Sequence, residues 1–236
     1  MSDMKNKVAI VTGASRGIGA AIAERLGRGG FTIIVNYAGN AALADAVVSK
    51  IEASGGIARA AQADVADPVA VKRMFDAAED AFGGVDVLVN NAGIMTLSPL
   101  ATTEDVDFDK LVSVNLKGTF NTMREAGKRL RNNGRIINFS TTVVGLKLEN
   151  YGVYAATKAA VETLTAIMAK EMRGRNISVN AVAPGPTATD LFLDGKSEEL
   201  VARMAKMSPL ERLGTPKDIA GVVAFLAGPD GAWVNG

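Results

Sequence analysis

Short apolar runs alternate with longer helical segments along the chain, and this alternation limits the fold more than any other feature of the sequence. Strands that are buried on both faces of a parallel sheet form such unbroken apolar runs. The runs are KVAIVTG from Lys7, FTIIVN from Phe31, VDVLVNN from Val85, GRIINFS from Gly134 and NISVNAVAP from Asn176, with a weaker run, GIARAAQAD, from Gly56. The sequence therefore predicts six parallel strands.

The segments between these runs have the spacing of amphipathic helices, for example at Ile18, Ile22 and Leu26. Parallel strands need crossover helices, so we expect an α/β fold with a doubly wound, Rossmann-like parallel sheet. A length of 236 residues suits one such unit, and we expect residues 1–236 to form a single domain. The region from Pro184 to about Leu213 breaks the alternation, which predicts a lid over the strand ends after the sixth strand.

Two residue types that carry much of enzyme chemistry are absent, since the chain has no histidine and no cysteine. This excludes a Ser-His-Asp triad, a cysteine nucleophile, disulfides, and metal sites built from thiolate or imidazole groups. Proton transfer is left to Tyr, Lys, Asp and Glu. No metal is expected.

The charges nearly cancel, because 26 basic and 25 acidic residues give a net charge of +1. Proteins that bind nucleic acid or a membrane surface usually carry a clear positive excess, so we expect neither partner and predict a small-molecule substrate or a protein partner. The start MSDMKNKVAIVTG is unlike a signal peptide, and no apolar stretch reaches the length of a membrane span. We therefore expect a soluble protein in the cytoplasm.

The segment TGASRGIG follows the first predicted strand and opens the first predicted helix. Its glycines let the backbone turn tightly and approach a pyrophosphate at the helix N-terminus, where free N–H groups favour anions. The spacing is G-x3-G-x-G and differs from the usual dinucleotide fingerprint, but the physical argument is the same. The segment predicts a nucleotide site formed by Gly13, Ser15, Arg16, Gly17, Ile18 and Gly19.

The end of the second strand bears on the choice of nucleotide. An acidic residue near this point hydrogen-bonds the ribose of NAD, whereas a basic neighbour accommodates the 2′-phosphate of NADP. Here the position carries Asn36, the next acid is Asp45, and Arg16 supplies a positive charge. We therefore favour NADP(H) over NAD(H), with a solvated loop arginine as the other interpretation of Arg16.

The segment NYGVYAATKAAVE contains Tyr154 with a lysine, Lys158, four residues later. Apolar residues that follow at helical spacing predict that the two side chains lie on one helix face. A phenol is a poor acid or base at neutral pH unless a nearby ammonium stabilises its phenolate. The spacing favours a catalytic pair, although an ordinary helix surface produces the same pattern.

Five motifs occur together and in order: TGASRGIG at Thr12, NNAG at Asn90, Asn115 within VSVNLKG, YAATK at Tyr154 and PGPTATD at Pro184. In this combination the chain resembles the short-chain dehydrogenase/reductase superfamily over nearly its whole length. Within it, the sequence is similar to the branch often labelled 3-oxoacyl-acyl-carrier-protein reductase or short-chain oxidoreductase.

The resemblance implies reduction of a carbonyl to an alcohol, or the reverse, with NADP(H). It assigns Tyr154 as general acid or base, Lys158 to lowering the tyrosine pKa and holding the nicotinamide ribose, and Asn115 to supporting a water in a proton relay. The implied cofactor residues elsewhere are Asn91, Ala92 and Gly93 at the ribose, Asp64 and Val65 at the adenine, and Pro184, Gly185, Thr187 and Thr189 along the nicotinamide.

The chain departs from the family pattern at the residue that binds the substrate oxygen. The family has a serine about 13 residues before the tyrosine, and here FSTTVVG places Thr141 at that position. A threonine hydroxyl makes the same hydrogen bond but adds a methyl group and a stiffer side chain. Ser140 and Thr142 are the alternatives if the turn carries an offset.

The resemblance also implies partners and a C-terminal feature. Relatives generally continue past WVNG with a last strand, so we expect this strand to be lacking from residues 1–236. A homodimer or homotetramer is implied, and the basic run from Arg124 would suit an acyl carrier protein or, equally, a solvated helix face. A regulator that senses NADP(H) without turnover is the alternative function.

Overall fold

The computed structural model describes residues 6–236 and contains one sheet of six parallel strands in the order β3-β2-β1-β4-β5-β6. The predicted doubly wound α/β fold is confirmed. The strands are β1 (Val8–Val11), β2 (Thr32–Tyr37), β3 (Ile57–Gln62), β4 (Val85–Asn90), β5 (Leu130–Phe139) and β6 (Ser178–Val182).

Helices cover both faces of the sheet. They are α1 (Gly17–Arg28), α2 (Ala41–Ala53), α3 (Pro68–Phe82), α4 (Asp105–Leu111), α5 (Thr119–Arg129), α6 (Val143–Leu146), α7 (Gly152–Glu171), α8 (Asp190–Leu193), α9 (Glu198–Met207) and α10 (Pro216–Ala227). Helices α1, α2 and α10 pack on one face, and α3, α5 and α7 pack on the other.

The strand β1 shows why the predicted strands are unbroken apolar runs. Its four residues are all buried, with Ala9 and Val11 in the core under α1, and Val8 and Ile10 in the core under α3. Side chains alternate between the faces of a strand, so a strand covered by helices on both faces needs apolar residues at every position.

The order of the strands reverses at β1, which pairs with β2 on one side and β4 on the other. The connections therefore diverge here and leave a crevice at the carboxyl ends of the strands, where ligands bind in open α/β sheets. The glycine turn after β1 and the NNAG segment after β4 both lie at this crevice.

The predicted lid contains two helices of its own, α8 and α9. The hydroxyls of Thr189 and Ser197 accept hydrogen bonds from backbone N–H groups in the first turns of these helices. A Cβ placed on Gly17 would lie 3.6 Å from the Thr189 methyl group, so the lid begins directly over the glycine turn.

The last described residues run beside β6. The N–H of Gly236 donates to the carbonyl of Val179 at 3.1 Å, and the N–H of Val179 donates to the Asn235 side chain at 2.8 Å. Within residues 6–236, no helix has the length and apolar character needed to cross a membrane.

Candidate active site

Tyr154 and Lys158 lie one turn apart on α7, as their spacing predicts. The lysine Nζ is 5.9 Å from the centroid of the tyrosine ring. Both side chains line a cavity of about 890 Å³ at the carboxyl end of the sheet. Ile18, Asn91, Gly93, Thr141, Pro184, Gly185, Thr187 and Thr189 line the same cavity.

Lys158 is held below this cavity by the backbone of β5. Its side chain is only 5% exposed, and Nζ donates to the carbonyl of Phe139 at 2.9 Å. Burial disfavours the ammonium form and lowers the pKa of Lys158 to about 8. The side chain therefore remains mainly a cation at neutral pH but gives up its proton more easily than a surface lysine.

Gly93 allows the backbone after β4 to approach this lysine. A Cβ at this position would lie 3.4 Å from the Lys158 Nζ and 3.3 Å from the Asn115 Oδ1. The two polar groups and the glycine backbone therefore converge at one point in the crevice.

The pKa of Tyr154 is raised, whereas the resemblance implies a lowered pKa. Burial raises the pKa of its hydroxyl, a hydrogen bond with Thr141 lowers it in part, and the neighbouring Tyr151 raises it further. The tyrosine is thus a protonated acid at neutral pH.

Of the three candidate hydroxyls after β5, Thr141 is the one beside Tyr154. The Ser140 hydroxyl donates to Glu162 Oε1 at 2.5 Å, so it is already committed to helix α7. Thr142 lies nearer the start of the lid, where its N–H donates to the carbonyl of Pro184 at 3.1 Å. The geometry favours the first choice made from the spacing.

Asn115 lies in a π-helical segment, Val112–Gly118, between α4 and α5. Its side chain is fully buried and makes two hydrogen bonds of 2.9 Å with the backbone of Ile94, one as donor and one as acceptor. Such π-helical insertions are frequent at functional sites. Nothing in the sequence VSVNLKG signalled this helix type.

The glycine turn has the geometry of an anion site. Gly13 and Gly17 have φ values of +60° and +58°, which favour glycine, and a Cβ on Gly19 would lie 2.4 Å from the Gly13 carbonyl oxygen. Arg16 precedes α1 and makes no side-chain capping bond. The free N–H groups of the first helical turn therefore fit a phosphate group.

Asn91 and Thr12 hold this turn against the end of β4. Asn91 Nδ2 donates to the carbonyls of Thr12 and Gly13 at 2.9 and 3.0 Å. The Thr12 hydroxyl in turn accepts from the backbone N–H groups of Asn91 and Ala92. Thr12 was not among the predicted site residues, although it opens the quoted motif.

The prediction that Asn36 meets the cofactor needs correction. Its side chain is 1% exposed, accepts from the Gly13 N–H at 3.2 Å, and donates to the carbonyls of Ala61 and Ala63. A buried amide with these partners joins the ends of three strands and does not face a ribose. Ala38 is the first exposed residue after it.

The residues predicted at the adenine separate into two types. Asp64 is exposed after β3, and its Oδ1 accepts from the N–H of Ala66 at 2.9 Å. Val65 is 6% exposed and its side chain packs against Gly118, where a Cβ would lie 2.6 Å from the valine Cγ2. Neither residue lines the 890 Å³ cavity.

Two arginines of the basic run considered as a carrier-protein surface are paired within the chain. Arg129 contacts Glu79 and Asp76 at 2.6 and 2.7 Å, and Arg131 contacts Asp86 at 3.0 Å. Hydrogen bonds to Glu79 and Asp76 raise the pKa of Arg129 above its already high ordinary value. These contacts tie α5 and β5 to α3 and β4, whereas Arg124 and Lys128 of the same run stay exposed.

A family model described as Enoyl-(Acyl carrier protein) reductase matches residues 13–236. A short-chain type dehydrogenase/reductase from Picea abies is 47% identical, covering 97% of this chain and 88% of its own length. An NADPH-dependent aldehyde reductase-like chloroplastic protein from Arabidopsis thaliana is also 47% identical, covering 99% of this chain and 92% of the relative.

Solved structures agree with these relatives. A short chain dehydrogenase from Burkholderia cenocepacia, in complex with NADP, has a TM-score of 0.92 and 39% identity, covering 98% of this chain and 94% of that chain. Its likeness extends over the sheet, the crevice and the lid. This chain therefore belongs to the short-chain dehydrogenase/reductase superfamily.

Proposed function

We propose that this protein is an NADP(H)-dependent oxidoreductase that interconverts a carbonyl and an alcohol. The observation that carries the proposal is the convergence of Tyr154, Thr141 and Lys158 in a cavity beside a glycine turn that fits a phosphate. Bound NADPH would supply a hydride to the carbonyl carbon. The residues of this chain then have to bind the oxygen and supply a proton.

Tyr154 is suited to supply that proton, since burial keeps its hydroxyl protonated at neutral pH. As hydride adds to carbon, the oxygen gains negative charge and becomes a strong acceptor for the tyrosine proton. Thr141 lies beside the tyrosine hydroxyl, where it can hold the oxygen in line. The products are the alcohol and a phenolate, which takes a proton back from solvent.

Lys158 supports the same step through its charge. A buried ammonium near the phenol stabilises the phenolate left after proton transfer, more strongly than it would in water. The Phe139 carbonyl orients Nζ at the cavity floor beside Gly93. Asn115 fixes the Gly93–Ile94 backbone and so the shape of this floor.

NADP(H) is favoured over NAD(H) by two observations. The exposed residues after β2 are Ala38, Gly39 and Asn40, so no carboxylate is present to bind an unphosphorylated ribose. Arg16 is exposed at the start of α1, where its charge suits a 2′-phosphate. The NADPH-dependent relative and the NADP-bound neighbour support the same choice.

The test is consumption of NADPH, with NADH in parallel, over aldehydes, ketones, quinones and acyl thioesters. We expect turnover with NADPH on carbonyl compounds, and Tyr154→Phe should reduce kcat by at least about a hundredfold, the scale of general acid catalysis. NADPH binding, followed by its fluorescence, should be retained in that variant.

Near-normal turnover by Tyr154→Phe would contradict the assignment. Binding of NADPH by the wild type without turnover on any carbonyl compound would favour the sensing regulator. Turnover confined to acyl thioesters would favour a 3-oxoacyl reductase, for which the internally paired Arg129 and Arg131 provide no carrier-protein surface.

We also propose that the protein works as a homodimer or homotetramer. Helices α4 and α5 expose Val106, Phe108 and Phe120, at 72%, 48% and 44% of their surfaces. Large apolar side chains that are exposed on consecutive helices are candidates for an interface between protein chains.

A further inference from the structure

Two chambers meet beside Tyr154. The inner chamber is the 890 Å³ cavity that contains Tyr154 and Lys158, and the outer chamber, of about 1280 Å³, lies between the lid and the segments around residues 95–99 and 148–151. Six residues line both chambers and define the neck between them: Met95, Leu148, Tyr151, Leu191, Met204 and Met207.

The inner chamber cannot be filled by the substrate alone. Its walls include Ile18, Asn91 and the segment Pro184–Thr187, which are the residues expected along the cofactor. A substrate whose carbonyl reaches Tyr154 therefore extends away from these residues, through the neck. The outer chamber is open to solvent and offers more room than a small aldehyde needs.

The side chains of the neck are suited to bind flat apolar rings. Five of its six residues are Met or Leu, and thioether groups adapt their shape and make favourable contacts with aromatic rings. Tyr151 is the sole aromatic among them. Its ring lies 6.4 Å from the ring of Tyr154, at an interplanar angle of 63°.

The backbone of Tyr151 is fixed at the start of α7, because its carbonyl accepts from the Ala155 N–H at 2.7 Å. The ring is half-buried, and burial raises the pKa of its hydroxyl, so the phenol is neutral at working pH. A neutral tyrosine ring next to Tyr154 can stack with a planar substrate at a small cost in side-chain entropy, because a tyrosine side chain has only two rotatable bonds to order.

Charge around the outer chamber does not select an ionic substrate. Its wall carries three acids, Glu149, Asp190 and Asp194, and two bases, Lys196 and Arg203, besides Arg16, whose charge is assigned to the cofactor phosphate. The remaining charges nearly cancel, and an uncharged substrate enters without a large electrostatic penalty.

Resting on the proposed function, we infer that Tyr151 is a specificity-determining residue, and that the substrate is an uncharged ketone fused to or carrying an aromatic ring, which packs on Tyr151 in the neck. The methionines Met95, Met204 and Met207 enclose the other side of the ring system. This assigns to Tyr151 a role in binding and leaves proton transfer with Tyr154.

The experiment compares three ketones with NADPH: β-tetralone, which has a fused aromatic ring, methyl octyl ketone, which has the same number of carbons in an open chain, and methyl ethyl ketone. Each is measured with the wild type, Tyr151→Phe, Tyr151→Leu and Tyr151→Ala. The small ketone reports on fold and proton transfer, since it need not reach the neck.

We expect the wild type to prefer β-tetralone by about three- to tenfold in kcat/KM over both other ketones, the scale of one aromatic contact. Tyr151→Phe should keep this preference, and Tyr151→Leu and Tyr151→Ala should abolish it, mainly through KM. In Tyr151→Leu and Tyr151→Ala, kcat/KM for β-tetralone should fall about three- to tenfold further than kcat/KM for methyl ethyl ketone, whatever change the small ketone shows.

Equal losses on all three ketones would overturn the inference, since Tyr151 would then act on Tyr154 or on the fold. A wild type that reduces the three ketones equally, or prefers methyl octyl ketone, would also overturn it while leaving the proposed function intact. Lack of turnover on any carbonyl compound with NADPH would overturn the proposed function itself, and this inference with it.

Discussion

At the scale of single residues, the site depends on a lysine buried where charge is costly. Lys158 exchanges its hydration for a hydrogen bond to one carbonyl and for proximity to Tyr154. Burying a charge in this way destabilises the fold, and such costs are common at functional sites. The arrangement is explained by catalysis and not by folding.

This cost predicts a pH dependence of stability. The pKa of Lys158 is about 8 in the folded protein against 10.5 for an unperturbed lysine. Between these values the unfolded chain binds more protons than the folded one, so the lysine's contribution to the free energy of unfolding rises with pH, by up to about 1.4 kcal/mol per pH unit. Below pH 8 the full penalty applies, and above 10.5 it is gone.

Lys158→Met removes this penalty. Its stability relative to the wild type, from urea unfolding, should be greatest near neutral pH and should fall as the pH rises from about 8 toward 10. Lys170→Met is the matched control on the same helix, because that side chain is exposed in the folded protein. A relative stability of Lys158→Met that stays constant with pH would show that the lysine is hydrated in the folded state.

At the scale of helices and strands, α7 is held to the end of β5 by consecutive polar contacts. Asn138, Phe139 and Ser140 contact Thr165, Lys158 and Glu162 of α7 in turn. The chain of hydrogen bonds continues across the sheet, because Asn90 Nδ2 donates to Asn138 Oδ1 at 2.8 Å. These contacts set the position of Tyr154 relative to Thr141.

Asn138 is the centre of this series of hydrogen bonds, so replacing it should lower the stability of the fold. Asn138→Ala leaves the buried Nδ2 of Asn90 without its acceptor, whereas the Thr165 hydroxyl keeps its bond to the Val161 carbonyl, and we expect a loss of about 1–3 kcal/mol in the free energy of unfolding. Asn132→Ala, on the exposed part of the same strand, should cost less than about 0.5 kcal/mol. Urea unfolding measures both, and equal effects would contradict a role for the polar chain.

The elements themselves were largely predictable from the sequence, and their cross-connections were not. Most of the strands follow from apolar runs, since burial on both faces leaves a pattern in the sequence, whereas the edge strand β3 is partly exposed and gave only a weak run. The π-helical segment around Asn115 and the Ser140–Glu162 contact leave none, because they depend on packing between distant segments. For the same reason Asn36 was assigned to the cofactor, although its partners are the ends of neighbouring strands.

At the scale of the whole molecule, the sheet order places the residues of the proposed site at one edge of the sheet, at the carboxyl ends of the strands. The reversal at β1 brings together the glycine turn, the β4 end with Gly93, and the β5 end with Thr141, while the lid follows β6. Catalysis and substrate binding therefore occupy the carboxyl edge. The helical faces beside the sheet remain free for contacts with another copy of the chain.

Helices α4 and α5 are the part of this surface where assembly should be disrupted most easily. Phe120 is 44% exposed, and the Arg124 guanidinium lies 5.2 Å from its ring centroid, so the two side chains form a flat apolar and cationic surface. A glutamate at position 120 would have to be buried without an opposite charge beside it in any interface that uses this surface, at a cost of several kcal/mol.

We expect the wild type to be a dimer or tetramer by size-exclusion chromatography with light scattering, and Phe120→Glu to be a smaller species. Leu43→Glu, a similar change at a 42% exposed leucine on α2, should leave assembly unchanged, because α2 lies on the opposite face of the sheet. A wild type that is monomeric, or a loss of assembly in Leu43→Glu but not in Phe120→Glu, would place the interface elsewhere or remove it.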